Sequence, residues 1–150
     1  MTIDYIVSSL PTLAFNDPPQ ITQEAFDELA GDSIADKLCE WKDLEAQLRN
    51  AMALARGGEK WVRPVEGCSL YWRNRIALCF QEKDIAKRDE MLDRVWWDAA
   101  EELTPPASPL GKGALATYAV RLKIALKRAA ISKSVGGATF DKVSKVDLKI

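Results

Sequence analysis

The sequence predicts an all-α protein of five or six unequal helices, packed mainly antiparallel, with an irregular N-terminal segment. Three observations predict it. Apolar residues recur at steps of three and four along three long stretches, as the buried stripe of an amphipathic helix does. Glycine and proline clusters cut the chain between those stretches and leave short connections, which favour antiparallel neighbours. No train of alternating apolar and polar residues marks a sheet, although residues 4–8 can form one strand. The 150 residues, 47% hydrophobic and 29% charged, suit a single folded domain over 1–150.

Residues 1–21 read as irregular, because Pro11, Pro18 and Pro19 punctuate them and Asn16–Asp17 is turn chemistry. Tyr5, Ile6, Val7, Leu10, Leu13 and Phe15 make the segment apolar enough to pack on the body of the protein. Thr22 caps a short helix, with Glu24 placed to suit the helix dipole and Gly31 at its end; Phe26 and Leu29 face inward. Asp32 or Ser33 caps a longer helix over 33–55, striped by Ile34, Leu38, Trp41, Leu44, Leu48, Met52 and Ala55. Gly57–Gly58 stop it. Residues 57–67 form a connection that Trp61 and Val62 keep ordered. A helix over 69–80 carries Leu70, Trp72, Ile76 and Phe80. The next, over 84–103, is striped by Ile85, Leu92, Val95, Trp96, Ala99 and Leu103, and Thr104-Pro-Pro-Ala-Ser-Pro109 breaks the chain after it. Leu115, Tyr118, Leu122, Ala125, Leu126 and Ala129 line a helix over 111–132. Gly136–Gly137 are expected to separate it from a short final helix holding Phe140, Val143, Val146 and Leu148.

The residue types argue against catalysis. There is no histidine, the commonest general acid–base and zinc ligand. Cys39, Cys68 and Cys79 form no C-x-x-C pair, and an odd, wide spacing is no disulfide framework. All three read as small buried apolar side chains. Leu110-Gly-Lys-Gly113 fails as a phosphate loop, since Pro106 stands where a glycine is needed and Gly113 where the hydroxyl belongs. Its glycines read as a flexible start to a helix. The chain is therefore expected to be no enzyme and to hold no cofactor and no metal.

Contact surfaces are the remaining place for function. Residues 1–111 hold 12 Lys/Arg and 20 Asp/Glu, a balance of −8, while residues 112–150 hold 9 Lys/Arg and two acids, a balance of +7. The basic segment either folds back onto the acidic half of the chain, the favoured reading, or binds an acidic protein; nucleic acid is the less favoured partner. Its exposed face is predicted at Arg121, Lys123, Lys127 and Arg128. Charge reversal at Lys127 and Arg128 is then expected to weaken partner binding and leave helicity intact. Asp98, Glu101 and Glu102, spaced i, i+3, i+4, form an acidic edge. Trp96 and Trp97 point about 100° apart on a helix, so one anchors the core, and the other either packs under the proline-rich loop or makes an exposed contact. Packing in the core is the favoured reading; Trp97 is kept as a candidate contact, and the sequence leaves open which of the two is exposed. With no basic n-region ahead of Tyr5–Val7 and no apolar run long enough for a bilayer, a cytoplasmic location and no membrane span are expected.

Several blocks resemble a known family. Tyr5-Ile-Val-Ser-Ser-Leu-Pro11, Leu13-Ala-Phe15 and Pro18–Pro19 look like the N-terminus of a bacterial family that accompanies V-type (A-type) ATP synthases. Its members are related to the C-type subunit of those enzymes, the counterpart of the d-type subunit in eukaryotes. Residues 40–50, residues 91–103 and the Leu122–Leu126 segment follow in the same order. The resemblance, to a shortened form of that family, implies a helical, non-catalytic component that couples the central stalk to the membrane ring. It implies ATPase stalk or ring subunits as partners and a peripheral place at the inner face of the membrane. A second copy, in a homodimer, is a further partner to be expected of a shortened chain.

Overall fold

The computed structural model describes residues 2–57 and 69–147, with side chains as far as residue 132. Among the described residues there are six α-helices and no strand. They are α1 (Ile3–Ser9), α2 (Gln23–Ala30), α3 (Ala35–Ala55), α4 (Leu70–Cys79), α5 (Ile85–Ala99) and α6 (Lys112–Asp147), with a 3-10 turn over Ala100–Leu103 that closes α5. The all-α prediction therefore holds. Contacts at 72/102 and 75/98 run α4 against α5 antiparallel, and those at 97/121 and 93/128 do the same for α5 and α6. The buried residues form one cluster that draws on all six helices.

Local chemistry explains most boundaries. The Thr22 hydroxyl accepts from the Ala25 amide at 3.1 Å, and Gly31 ends α2 at φ 53°, a conformation suited to glycine. Asp84 caps α5 by accepting from the Ala86 amide at 3.0 Å. Neither Asp32 nor Ser33 caps α3. The Ser33 hydroxyl turns back to the Ala30 carbonyl at 2.6 Å, and the buried Ile34 stands at the N-cap, so burial rather than capping sets this start.

Two expectations are corrected. Residues 3–9 are helical, not irregular or a strand: Ile3, Ile6, Val7 and Leu10 turn inward at helical spacing while Tyr5 stays exposed. The unbroken Tyr5-Ile-Val7 run concealed that period. At the other end α6 continues through Gly136–Gly137 to Asp147 with no separate final helix. Each interior glycine costs a helix about 1 kcal/mol but does not forbid it. The faces expected for Phe140, Val143 and Val146 lie outside the described side chains. Leu148, Cys68 and the connection with Trp61 and Val62 lie outside the described residues.

The N-terminal segment docks as expected. The Tyr118 hydroxyl on α6 donates to the Pro11 carbonyl at 2.5 Å, and the Tyr118 ring stacks on Phe26 of α2. Phe15 meets the Trp97 ring edge-on at 5.6 Å, with the Arg94 and Arg128 guanidinium groups over its face. Gly113 is buried where α6 crosses the 3-10 turn. A Cβ there would collide with the Leu103 carbonyl and lie 2.9 Å from Pro105 Cδ. This glycine serves close approach, not flexibility. Among the described residues, no helix is long and apolar enough to cross a membrane.

Candidate functional site

A groove of about 670 Å³ runs between α3, α5 and α6. Met52, Leu92, Trp96 and Ile124 give it an apolar floor, and charged side chains form its rims. A smaller cleft of about 200 Å³, bounded by α2, continues from it and shares Glu45, Trp96, Lys123 and Ile124. The amphipathic stripes build this floor: Met52 of α3 and Leu92 of α5 are stripe residues left partly buried, and Ile124 of α6 is buried beside them. Trp96 is half-buried at the centre, and its Nε1 donates to Glu45 Oε2 at 3.2 Å. Glu45 in turn holds Arg49 at 3.2 Å. Such a groove suits an amphipathic segment, which can lay its apolar face on the floor and its polar face along the rims.

The structure decides between the two tryptophans and removes Trp97 from the candidate contacts. Trp97 is buried between Phe15 and the Arg121 guanidinium, 5.3 Å from its ring centre, so it is no exposed contact. Trp96 is the one that reaches the surface. Helical spacing puts Trp96 on the stripe and Trp97 beside it, yet it is Trp97 that the docking of Phe15 covers.

Of the four basic candidates, three are already engaged within the chain. Arg121 donates from Nε to the Trp97 carbonyl at 3.0 Å and pairs with Glu101 at 3.1 Å. Burial pulls its guanidinium below the ordinary value, partly offset by Glu101 and Asp98. Lys127 pairs with Asp93 at 2.8 Å, and Arg128 with Asp93 at 3.4 Å and Asp89 at 3.8 Å. The described part of the basic segment thus folds back onto the acidic α5. Reversing Lys127 and Arg128 would set acids against acids, so a loss of stability is expected in place of intact helicity. Lys123 alone keeps its candidacy: it is exposed, lies where the two cavities meet, and makes no ion pair among the described residues.

The acidic edge is also spoken for. Asp98 binds Arg75 at 2.8 Å and Arg94 at 3.4 Å. Burial pulls the Arg75 guanidinium down, but the Asp98 hydrogen bond and charge outweigh it, and the net shift is upward. Glu102 accepts from Trp72 Nε1 at 2.6 Å, which ties the turn after α5 to α4. These carboxylates hold helices together.

Cys79 is buried as expected, and burial pushes its thiol up against the opposing pull of Arg75. Cys39 is exposed, which corrects its assignment to the core. Among the described residues no group of three or more His, Cys, Asp or Glu is placed to hold a metal. No family model, curated protein or solved structure matches the chain.

Proposed function

We propose that the chain is a non-catalytic adaptor that receives a helical segment of a partner in the groove over Trp96, and that this partner belongs to the stalk or membrane ring of a V-type ATPase. The groove carries the first half of the reading: it has the size of a binding cleft, an apolar floor, charged rims, and two exposed cations, Arg56 and Lys123, that make no ion pair among the described residues. The ordered sequence blocks support the second half. Three of those blocks meet in space, since Phe15 from the first touches Trp97 from the third and Glu45 from the second binds Trp96 from the third.

Co-purification under conditions that keep the rotary complex intact tests the partner. The chain is expected to travel with a stalk or ring subunit, and Lys123→Glu to weaken that association. A chain that never accompanies the intact complex contradicts the ATPase assignment. The alternative, a module using a basic C-terminal surface to bind an acidic protein, is disfavoured by the internal pairing of Arg121, Lys127 and Arg128.

A further inference from the structure

Helix α4 is apolar on both faces. Trp72, Ile76 and Cys79 point into the core, yet Leu70, Tyr71 and Leu78 on the opposite side are 69%, 60% and 57% exposed. At 100° per residue these three fall within one outward arc with Asn74 and Ala77. A surface helix ordinarily sets polar residues there. The arc continues onto α5. Lys87, Met91, Arg94 and Asp98 share a face at helical spacing, and Asp98 takes Arg75 from α4, so that face runs alongside α4. Met91 is itself 37% exposed.

Exposed cations border the same region. Residues 69–98 hold six Lys/Arg and six Asp/Glu, so the cations count by exposure and not by excess. Arg75 and Arg88 are used internally, Arg75 by Asp98 and Arg88 by the Glu82 carbonyl. Arg73 and Lys87 are exposed and make no ion pair among the described residues, and they flank the apolar ridge on its two sides.

We infer that this ridge seats the protein on an anionic lipid surface, with Leu70, Tyr71 and Leu78 entering the interface and Arg73 and Lys87 meeting lipid phosphates. The ridge is convex, so it needs no complementary pocket; a bilayer interface deforms around apolar side chains and rewards flanking cations. Tyrosine suits the headgroup level. A second copy is the poorer occupant, because it would have to supply acidic partners for Arg73 and Lys87 from the same ridge, whose Asp98 is already taken by Arg75 and Arg94. The site is separate from the groove over Trp96, so the two assignments stand or fall independently.

The test is sedimentation of the full chain with vesicles of phosphatidylcholine alone or mixed with phosphatidylglycerol. Binding is expected only to the anionic vesicles and should weaken with salt. Arg73→Glu with Lys87→Glu should reduce it by about fivefold or more per cation. Leu70→Ser with Leu78→Ser should reduce it by about tenfold or more at unchanged charge. All four side chains are exposed, so both double variants should keep the native circular dichroism and urea midpoint. Absence of binding to anionic vesicles, or binding that both variants retain, overturns the inference. So does a two-copy solution mass that Leu70→Ser with Leu78→Ser reduces to one copy, since the ridge would then belong to a dimer.

Discussion

Tyr118 joins three parts of the chain through one side chain. Its ring stacks on Phe26, and its hydroxyl holds the Pro11 carbonyl. Tyr118→Phe keeps the stacking and removes the hydrogen bond, so it should cost about 1 kcal/mol in urea denaturation. Burial pushes the phenol above its ordinary value. The folded state therefore favours the protonated form. This contribution is complete below the unfolded tyrosine value of about 10 and is lost as pH rises through the folded one. Native protein should lose stability over that alkaline range more steeply than Tyr118→Phe. Gly113 makes a different kind of contact. Gly113→Ala forces a Cβ onto the Leu103 carbonyl and should destabilise by about 2 kcal/mol or more, measured by the same melt, whereas Gly111→Ala meets only ordinary contacts with Ser108 and should cost far less.

At the scale of elements, the pairing of α5 with α6 fixes where charge is spent. Asp93, its side chain only 12% exposed, accepts both Lys127 and Arg128. Asp93→Ala leaves the shielded Arg128 guanidinium without its nearest partner and should cost about 2 kcal/mol. Lys127→Ala, at a half-exposed pair, should cost under about 1 kcal/mol. Equal losses from the two would show that burial does not govern this cluster. The helices were legible because their stripes repeat at 3.6 residues: Ile34, Trp41 and Leu48, or Leu115 and Leu122, are buried as their spacing requires. Thr22 was legible as a cap; at Asp84 only the start of the helix was read, and its capping role comes from the structure. What escaped was decided by tertiary contact. Leu70 and Ile85 sit on predicted stripes but end exposed, because α4 and α5 present Trp72, Ile76 and Val95 to the core instead. Phe15 covers Trp97 rather than Trp96 from a distance in sequence that no local pattern encodes. The complementarity of Asp89 and Asp93 with Lys127 and Arg128 was present in the sequence, but it becomes a pair only once the two helices are known to run antiparallel.

At the scale of the molecule, α5 and the turn after it pair with Arg121, Lys127 and Arg128, and two surfaces stand out among the described residues: the groove over Trp96 and the outward ridge of α4. The two surfaces differ in shape, and we propose different occupants for them, a helical segment in one and a lipid interface at the other. The central claim is the groove. A photo-crosslinking side chain placed at Met52, on its floor, measures occupancy directly within the intact rotary complex. A cross-link to a stalk or ring subunit, lost when Lys123→Glu is added, is the predicted result. An intact complex that holds the chain yet gives no cross-link from Met52 contradicts the account.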